Sequence, residues 1–248
     1  MNISWFIIKR PKTYKSSLNG MITVGTDTKN KGIFSGGVTQ SGKEIAIMWN
    51  EVVKNLYTSH PKFISRSHKM LKQAMPDLPA GRQGGRQVQH EKKRNILILG
   101  VGGGSVIHAI RQFDKAANIT GIELDPVMKQ IAIEQFGIVE DKKQKIIIAD
   151  AISWVKKQSR ISRLVYRLIV VDLYIGPLNP KKARMKAFLE QIKTLLKPEG
   201  IILYNAHFQK KNPGEYESFQ KLTNKLFKKT EAVFSYPLNR VLQISGWS

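Results

Sequence analysis

Between residues 94 and 207, apolar runs ("NILILG", "ITGIEL", "KIIIAD", "RLIVVDLY", "IILYNAHF") alternate with stretches whose apolar positions recur at helical spacing. Strands this uniformly apolar are buried on both faces, which predicts a parallel sheet covered by helices. In "MKAFLEQIKTLL" the residues Met185, Phe188, Leu189, Ile192, Leu195 and Leu196 share one helical face, and "KPEG" should stop that helix before the next strand. A helix over 215–229 then leads to "AVFSYPLNRVLQIS", two β-runs that meet at "PLN" as a terminal hairpin. Ahead of this region the pattern differs. Residues 5–41 carry short β-rich runs ("SWFIIK", "GMITVGT", "KGIFSGGVTQ") separated by Gly, Asn, Asp and Ser, which predicts antiparallel hairpins. Residues 44–57 and 61–75 have helical periodicity. "MPDLPAGRQGGRQVQHEKKR" has no periodic apolar face and a tandem "GRQ". The expected organisation is therefore a β-hairpin domain (1–43), connecting helices (44–75), an exposed low-complexity linker (76–93) and an α/β domain (94–248).

Composition narrows the function classes. With 42% hydrophobic residues there is material for a full core, and with no cysteine there is neither a disulfide framework nor a thiolate metal site. His60, His68, His90, His108 and His207 lack metal-ligand spacing, so no metal is expected. No apolar run approaches the roughly 20 residues that cross a bilayer, and "MNISWFIIKRPK" has no small-residue cleavage site. These observations predict a cytoplasmic protein with no membrane partner. The formal charge of +23 raises the question of nucleic acid, but the excess lysine is scattered in pairs ("DKKQK", "NPKKARMK", "FQKK") that suit solvated surface. Nucleic acid is the less favoured partner.

The chemistry begins at "RNILILGVGGGSVIHAI". Gly100, Gly102, Gly103 and Gly104 stand where a strand feeds a helix, and glycine there lets the backbone approach a ligand closely. A dinucleotide site also begins G-x-G, but its third glycine would fall on position 105, which is Ser. Glu123 ends the second strand, where a carboxylate can accept both hydroxyls of a ribose, a need common to NAD and S-adenosylmethionine. Asp150 and Asp172 end the next two strands, at the edge where ligands of open α/β sheets bind. Each alone also fits as a helix N-cap. His108, on the helix after the glycine turn, reads as packing or surface.

These residues resemble the class I S-adenosylmethionine-dependent methyltransferase fold and, within it, the spermidine synthase family. "ILILGVGGGSVIHAI" is similar to the family's glycine-rich motif, "GIELDP" to its ribose-binding strand end, "IIIADAISWV" to its adenine-binding turn and "LIVVDLY" to the strand end carrying its general base. "GIFSGGVTQSGKEIAIMWNEVVKN" is similar to its N-terminal signature, with Gln40 and Glu51 at matching positions. The resemblance implies a mixed seven-stranded Rossmann-like sheet preceded by a small antiparallel β-domain. It implies a cofactor site at Gly100, Gly102, Gly103, Gly104, Glu123, Asp150 and Ala151, with Asp172 at the transferring group as base or orienting residue. Trp49, Tyr174 and His207 are candidates for the acceptor side, with Gln40 and Glu51. It also implies a homodimer.

Where the family carries acidic residues this chain has Gly103, Ile45, Ala46 and Ile175, and the family's Tyr-His pair falls on Trp49 and Asn50. Decarboxylated S-adenosylmethionine and a polyamine are both cationic, and a buried ammonium left without an anion costs several kcal/mol. The leading expectation is thus a transferase that uses S-adenosylmethionine itself, a methyltransferase on a small-molecule acceptor. Aminopropyl transfer from the decarboxylated cofactor and a non-catalytic or nucleic-acid-associated protein remain open.

Overall fold

The computed structural model describes residues 8–27, 30–35, 38–60, 94–161, 165–174, 179–207, 214–236 and 239–246. The expected second connecting helix (61–75) and the linker (76–93) lie outside them.

Four strands, β1 (Ile8–Ser16), β2 (Gly20–Asp27), β3 (Asn30–Ser35) and β4 (Val38–Ser41), pair in sequence order as an antiparallel sheet. Strand alternation places Tyr14, Ile22, Val24 and Ile33 on one face. There they are buried against Met128 and Ile131 of helix α3 (Pro126–Phe136). Helix α1 (Lys43–Ser59) follows and buries Met48, Trp49, Val52, Val53, Leu56 and Tyr57, the single stripe that its period dictates. That stripe packs on α2 (Ser105–Phe113) and one face of the main sheet.

The main sheet contains β5 (Asn95–Leu99), β6 (Asn118–Glu123), β7 (Gln144–Ile148), β8 (Tyr166–Val171), β9 (Leu196–His207), β10 (Lys229–Ser235) and β11 (Asn239–Ser245), in the spatial order β10-β11-β9-β8-β5-β6-β7. The five strands from β9 to β7 are parallel and β11 is antiparallel to both its neighbours. Helices α4 (Ala151–Ile161), α5 (Lys186–Leu195) and α6 (Gly214–Leu226) cover the second face. The continuous apolar runs are explained by this double cover: in β5, Ile96 and Ile98 face one core while Leu97 and Leu99 face the other. The mixed seven-stranded sheet with its antiparallel companion is the expected α/β fold, and β10 and β11 pair as the expected terminal hairpin. One boundary differs. "KPEG" does not separate α5 from β9. β9 begins at Leu196, paired with Tyr166, and the register shift before Leu168↔Ile201 takes up the extra residues.

Candidate functional site

From β5 the chain winds outward through β6 and β7, then returns to the other side of β5 as β8, so the strand order reverses between β5 and β8. Loops part there and leave a crevice at the carboxyl ends of the strands. It holds a cavity of about 290 Å³ lined by Gly100, Gly102, Gly103, Glu123, Asp150, Ala151, Asp172 and Tyr174. Ser41, Ile45 and Met48 close it from the N-terminal segment, and Asn205, His207 and Asn239 from the far side of β8.

The glycines do different work. Gly100, Gly102 and Gly104 have φ of 87°, 53° and 84°, a region that favours glycine. A Cβ on Gly100 would lie 2.2 Å from the Asp172 carbonyl oxygen, so this glycine lets the turn press against the end of β8. Gly103 is glycine for another reason. A Cβ there would meet Ser41 Oγ at 2.6 Å and Ile33 Cδ1 at 3.1 Å, so β3 and β4 lie directly over the turn. Gly104, expected at the cofactor, is not among the residues lining the cavity. It is the N-cap of α2, and its Cβ would strike Ile138 Cδ1 at 2.4 Å, so packing accounts for it.

The three acidic strand tips converge on the cavity in distinct states. Glu123 is buried, and its Oε2 accepts the Val101 and Gly102 N–H groups, both at 3.0 Å, while Oε1 accepts those of Leu124 (2.8 Å) and Asp125 (3.0 Å). It staples the glycine turn to the end of β6. Asp150 is exposed and accepts the Ser153 N–H at 2.9 Å, which is the capping role the sequence allowed, at a place that also faces the cavity. Partial burial works against its charge, but hydrogen bonds from Ser153 and Ile152 and nearby Lys182 hold its pKa below the usual value.

Asp172 is the perturbed group. Its Oδ2 accepts the Trp49 indole N–H at 3.2 Å and its Oδ1 accepts Asn205 Nδ2 at 2.8 Å. Burial pushes its pKa up to about 6; the Asn205 and Trp49 hydrogen bonds oppose that rise and the Glu123 charge adds to it. Trp49 was expected to line an acceptor pocket. It is instead fully buried, with its indole N–H on the Asp172 carboxylate. Glu51 is exposed on α1 and does not line the cavity. Gln40 falls in β4, and its side chain lies outside the described residues.

Tyr174 and His207 do line the cavity, with their rings edge to face at 6.2 Å. Burial lowers the pKa of His207, partly offset by a hydrogen bond with Asn239, which keeps the imidazole neutral near pH 7. Sequence reasoning did not find the asparagines. Asn179 donates to the carbonyls of Leu173 (2.8 Å) and Asn205 (3.0 Å) and accepts the His207 N–H at 2.7 Å. Asn205 Oδ1 and the Tyr174 hydroxyl are buried without a hydrogen-bond partner of good geometry. The signal available was "YNAH", a polar pair ending an otherwise apolar central strand.

The Trp49 contact gives a measurable consequence. Trp49→Phe keeps a smaller aromatic ring in the core and removes one donor to the carboxylate, so the Asp172 pKa should rise by about one further unit, the size of one hydrogen bond to a charged group. The acid limb of the pH–rate profile should move upward by that amount, with the high-pH plateau changed only a few fold.

Among the described residues no helix is long and apolar enough to cross a membrane, and no group of three potential metal ligands occurs. Over 126 residues the chain is 26% identical to an eEF1A lysine and N-terminal methyltransferase homolog of Drosophila melanogaster, covering 48% of this chain and 19% of that protein. Over 114 residues it is 30% identical to the polyamine aminopropyltransferase of Vibrio vulnificus, covering 46% of this chain and 38% of that protein. The match thus spans less than half the length of either relative. A probable spermidine synthase from Corynebacterium glutamicum superposes with a TM-score of 0.72 at 17% identity, over 96% of this chain and 80% of that one. Human Methyltransferase-like protein 13 in complex with SAH superposes with a TM-score of 0.57 at 23% identity, over 62% of this chain and 72% of that one. At these identities the superpositions speak to the fold, a class I methyltransferase-like sheet. Residues 86–240, more than half of the chain, match the spermine/spermidine synthase domain, and the chain belongs to that family.

Proposed function

We propose that the chain is an S-adenosylmethionine-dependent transferase, a methyltransferase whose small acceptor is not a polycation, with Asp172 as the proton acceptor. The residues present fit the adenosyl group. A glycine turn with three left-handed residues, two of them (Gly100 and Gly102) in the cavity wall, can take a nucleoside close to the main chain. Asp150 and Ala151 would hold its base, and Glu123 its ribose by sharing an oxygen already used for backbone N–H groups. When bound, S-adenosylmethionine supplies a carbon already activated by its sulfonium.

The chain's residues do the rest. Asn205 and Trp49 fix both oxygens of Asp172, so the carboxylate faces the acceptor in one orientation. With a pKa of about 6 it is ionised at neutral pH yet basic enough to take the proton that the acceptor loses. The carrying observation is the wall beside it. On α1, Ile45, one turn before Trp49, and Met48, next to it, line the cavity, and a Cβ on Gly103 would have to displace the Ser41 side chain. Of the three carboxylates that line the cavity, Glu123 is committed to four backbone N–H groups and Asp150 caps α4, which leaves Asp172, beside Asn205, Asn239 and a neutral His207. Cationic ligands need more than this.

Isothermal titration with both cofactors tests the reading. Micromolar binding of S-adenosylmethionine, tighter than its decarboxylated form by about tenfold or more, is expected, since one unpaired buried ammonium is worth at least that ratio. The opposite order, with spermidine formed from putrescine, would make the chain an aminopropyltransferase. Salt-dependent RNA retention without any adenosyl binding would make it neither.

A further inference from the structure

We infer that Asp125 is a positioning residue, a latch that docks the N-terminal sheet onto the cofactor turn and makes that docking a condition of adenosyl binding. The inference rests on reading the cavity as an adenosyl site. Asp125 follows Glu123 by two residues and is 2% exposed. Its Oδ2 accepts Ser16 Oγ at 2.5 Å and Asn19 Nδ2 at 2.6 Å, two donors from the β1–β2 turn more than a hundred residues away in the chain. Its Oδ1 accepts the Val127 N–H at 2.9 Å and so caps α3. Its own N–H donates to Glu123 Oε1, and Glu123 Oε2 receives Val101 and Gly102. One unbroken hydrogen-bond path therefore runs from the β1–β2 turn through two buried carboxylates to the glycine turn.

The turn is itself held rigid. Ser16 Oγ accepts the N–H groups of Leu18 (3.0 Å) and Asn19 (2.9 Å), and Ser35 Oγ donates to the Asn19 carbonyl at 2.8 Å. Asn19 also lines the cavity, so the latch has one end on Asp125 and the other at the ligand. At the opposite side of the turn, Ser41 Oγ lies 3.2 Å from Ser105 Oγ and presses on Gly103. The rest of the docking is the apolar seam of Tyr14, Ile22, Val24 and Ile33 on Met128 and Ile131, edged by hydrogen bonds of Lys12 and Tyr14 with Glu134 and of Tyr14 and Lys31 with Gln135. Of these, the Lys12–Glu134 ion pair is exposed and contributes little. The carboxylate of Asp125, with its three donors, is the buried, charged part of that seam, and it sits next to the residues that shape the nucleoside site.

Asp125→Ser separates the latch from the cap, because serine still caps α3 but is too short to reach Ser16 and Asn19. In ligand-free protein, amides of β1 and β2 should exchange about tenfold faster or more, the effect of losing one strong hydrogen bond. The Kd for S-adenosylhomocysteine should rise by about tenfold or more while the melting temperature stays within a few degrees. Asp125→Asn, which can still accept from Val127 and exchange hydrogen bonds with Asn19, should recover most of the affinity. Wild-type exchange in β1 and β2 of Asp125→Ser would overturn the latch. Released strands with unchanged affinity would overturn its coupling to the ligand, and a lower melting temperature with intact affinity would reduce Asp125 to a helix cap. If wild-type protein binds no adenosyl ligand, the cavity reading fails, and exchange alone still decides whether Asp125 docks the sheet.

Discussion

Asp172→Asn is expected to lower the transfer rate by about a thousandfold, the middle of the range for losing a general base, without lowering the melting temperature at neutral pH. The two halves of this result have one cause. Burial raises the Asp172 pKa from 3.8 to about 6, so the folded protein binds this proton more tightly than the unfolded chain does. The sign follows directly: the folded state is favoured while Asp172 is protonated, and stability is lost as pH rises from about 4 to about 6, then stays level. Above pH 6 the ionised carboxylate costs the fold about 3 kcal/mol. Asparagine removes that charge and keeps the partners. Its oxygen can accept the Trp49 indole N–H, and its amide can donate to Asn205 Oδ1, which has no partner of good geometry in the parent protein, once the Asn205 amide turns over. The variant should therefore melt several degrees above the parent at pH 7.5, about 2–4 °C per kcal/mol for a chain of this size, and the two should converge near pH 4. Melting curves across pH read the stability half, and initial rates read the other. In the parent the rate should fall tenfold per pH unit below pH 6 as the base protonates. A variant that melts earlier than the parent at pH 7.5, or one that still transfers, would contradict the assignment of Asp172.

The parts of the fold that could be read from residue order are those where one side chain has one reason to be present. The apolar runs of β5, β6, β8 and β9 could only be doubly covered strands, and the acidic residues that end β6, β7 and β8 converge because a parallel sheet puts all its carboxyl ends on one edge. The readings that needed correction concern residues with two possible reasons. Gly104 has the left-handed φ of a ligand-binding turn, yet what demands glycine is Ile138, thirty-four residues on and invisible to any local pattern. Trp49 sits in the segment similar to the family's N-terminal signature, but helical period turns its ring into the core, with its indole N–H on Asp172. Asn179, Asn205 and Asn239 carried no motif at all. Their placement arises from β9 lying between β8 and β11, which brings Asn205 and Asn239 to one wall of the cavity, with Asn179 buried and hydrogen-bonded to the Leu173 and Asn205 carbonyls. Asp125 was not singled out by the sequence, because its donors Ser16 and Asn19 lie more than a hundred residues away, beyond any local pattern.

Gly100→Ala should have the largest effect on stability of any single methyl group added to the glycine turn. At φ 87° an alanine costs about 1–2 kcal/mol on conformation alone. The added carbon would also stand 2.2 Å from the Asp172 carbonyl oxygen and 2.9 Å from its carbonyl carbon, and these are backbone atoms that cannot swing aside. Overpacking against fixed atoms adds about 1–3 kcal/mol. The hydrogen bonds Gly100 N–H to Ile122 O (2.9 Å) and Asp172 N–H to Leu99 O (2.8 Å) tie the turn to β6 and β8 on either side, so relief on one side opens a ladder on the other. A total near 4 kcal/mol corresponds to a melting temperature lower by about 10 °C. Gly137→Ala is the internal control. Gly137 has a φ of 69° at the end of α3, but nothing lies within 4 Å of its would-be Cβ, so only the conformational part is lost and the melting temperature should drop by no more than about 2–4 °C per kcal/mol of that part. Because the displaced atoms belong to Asp172, Gly100→Ala should also depress transfer in protein that remains folded, whereas Gly137→Ala should leave it unchanged. Equal melting losses in the two variants would mean that the turn does not press on the end of β8, and the geometry that aims Asp172 into the cavity would lose its support.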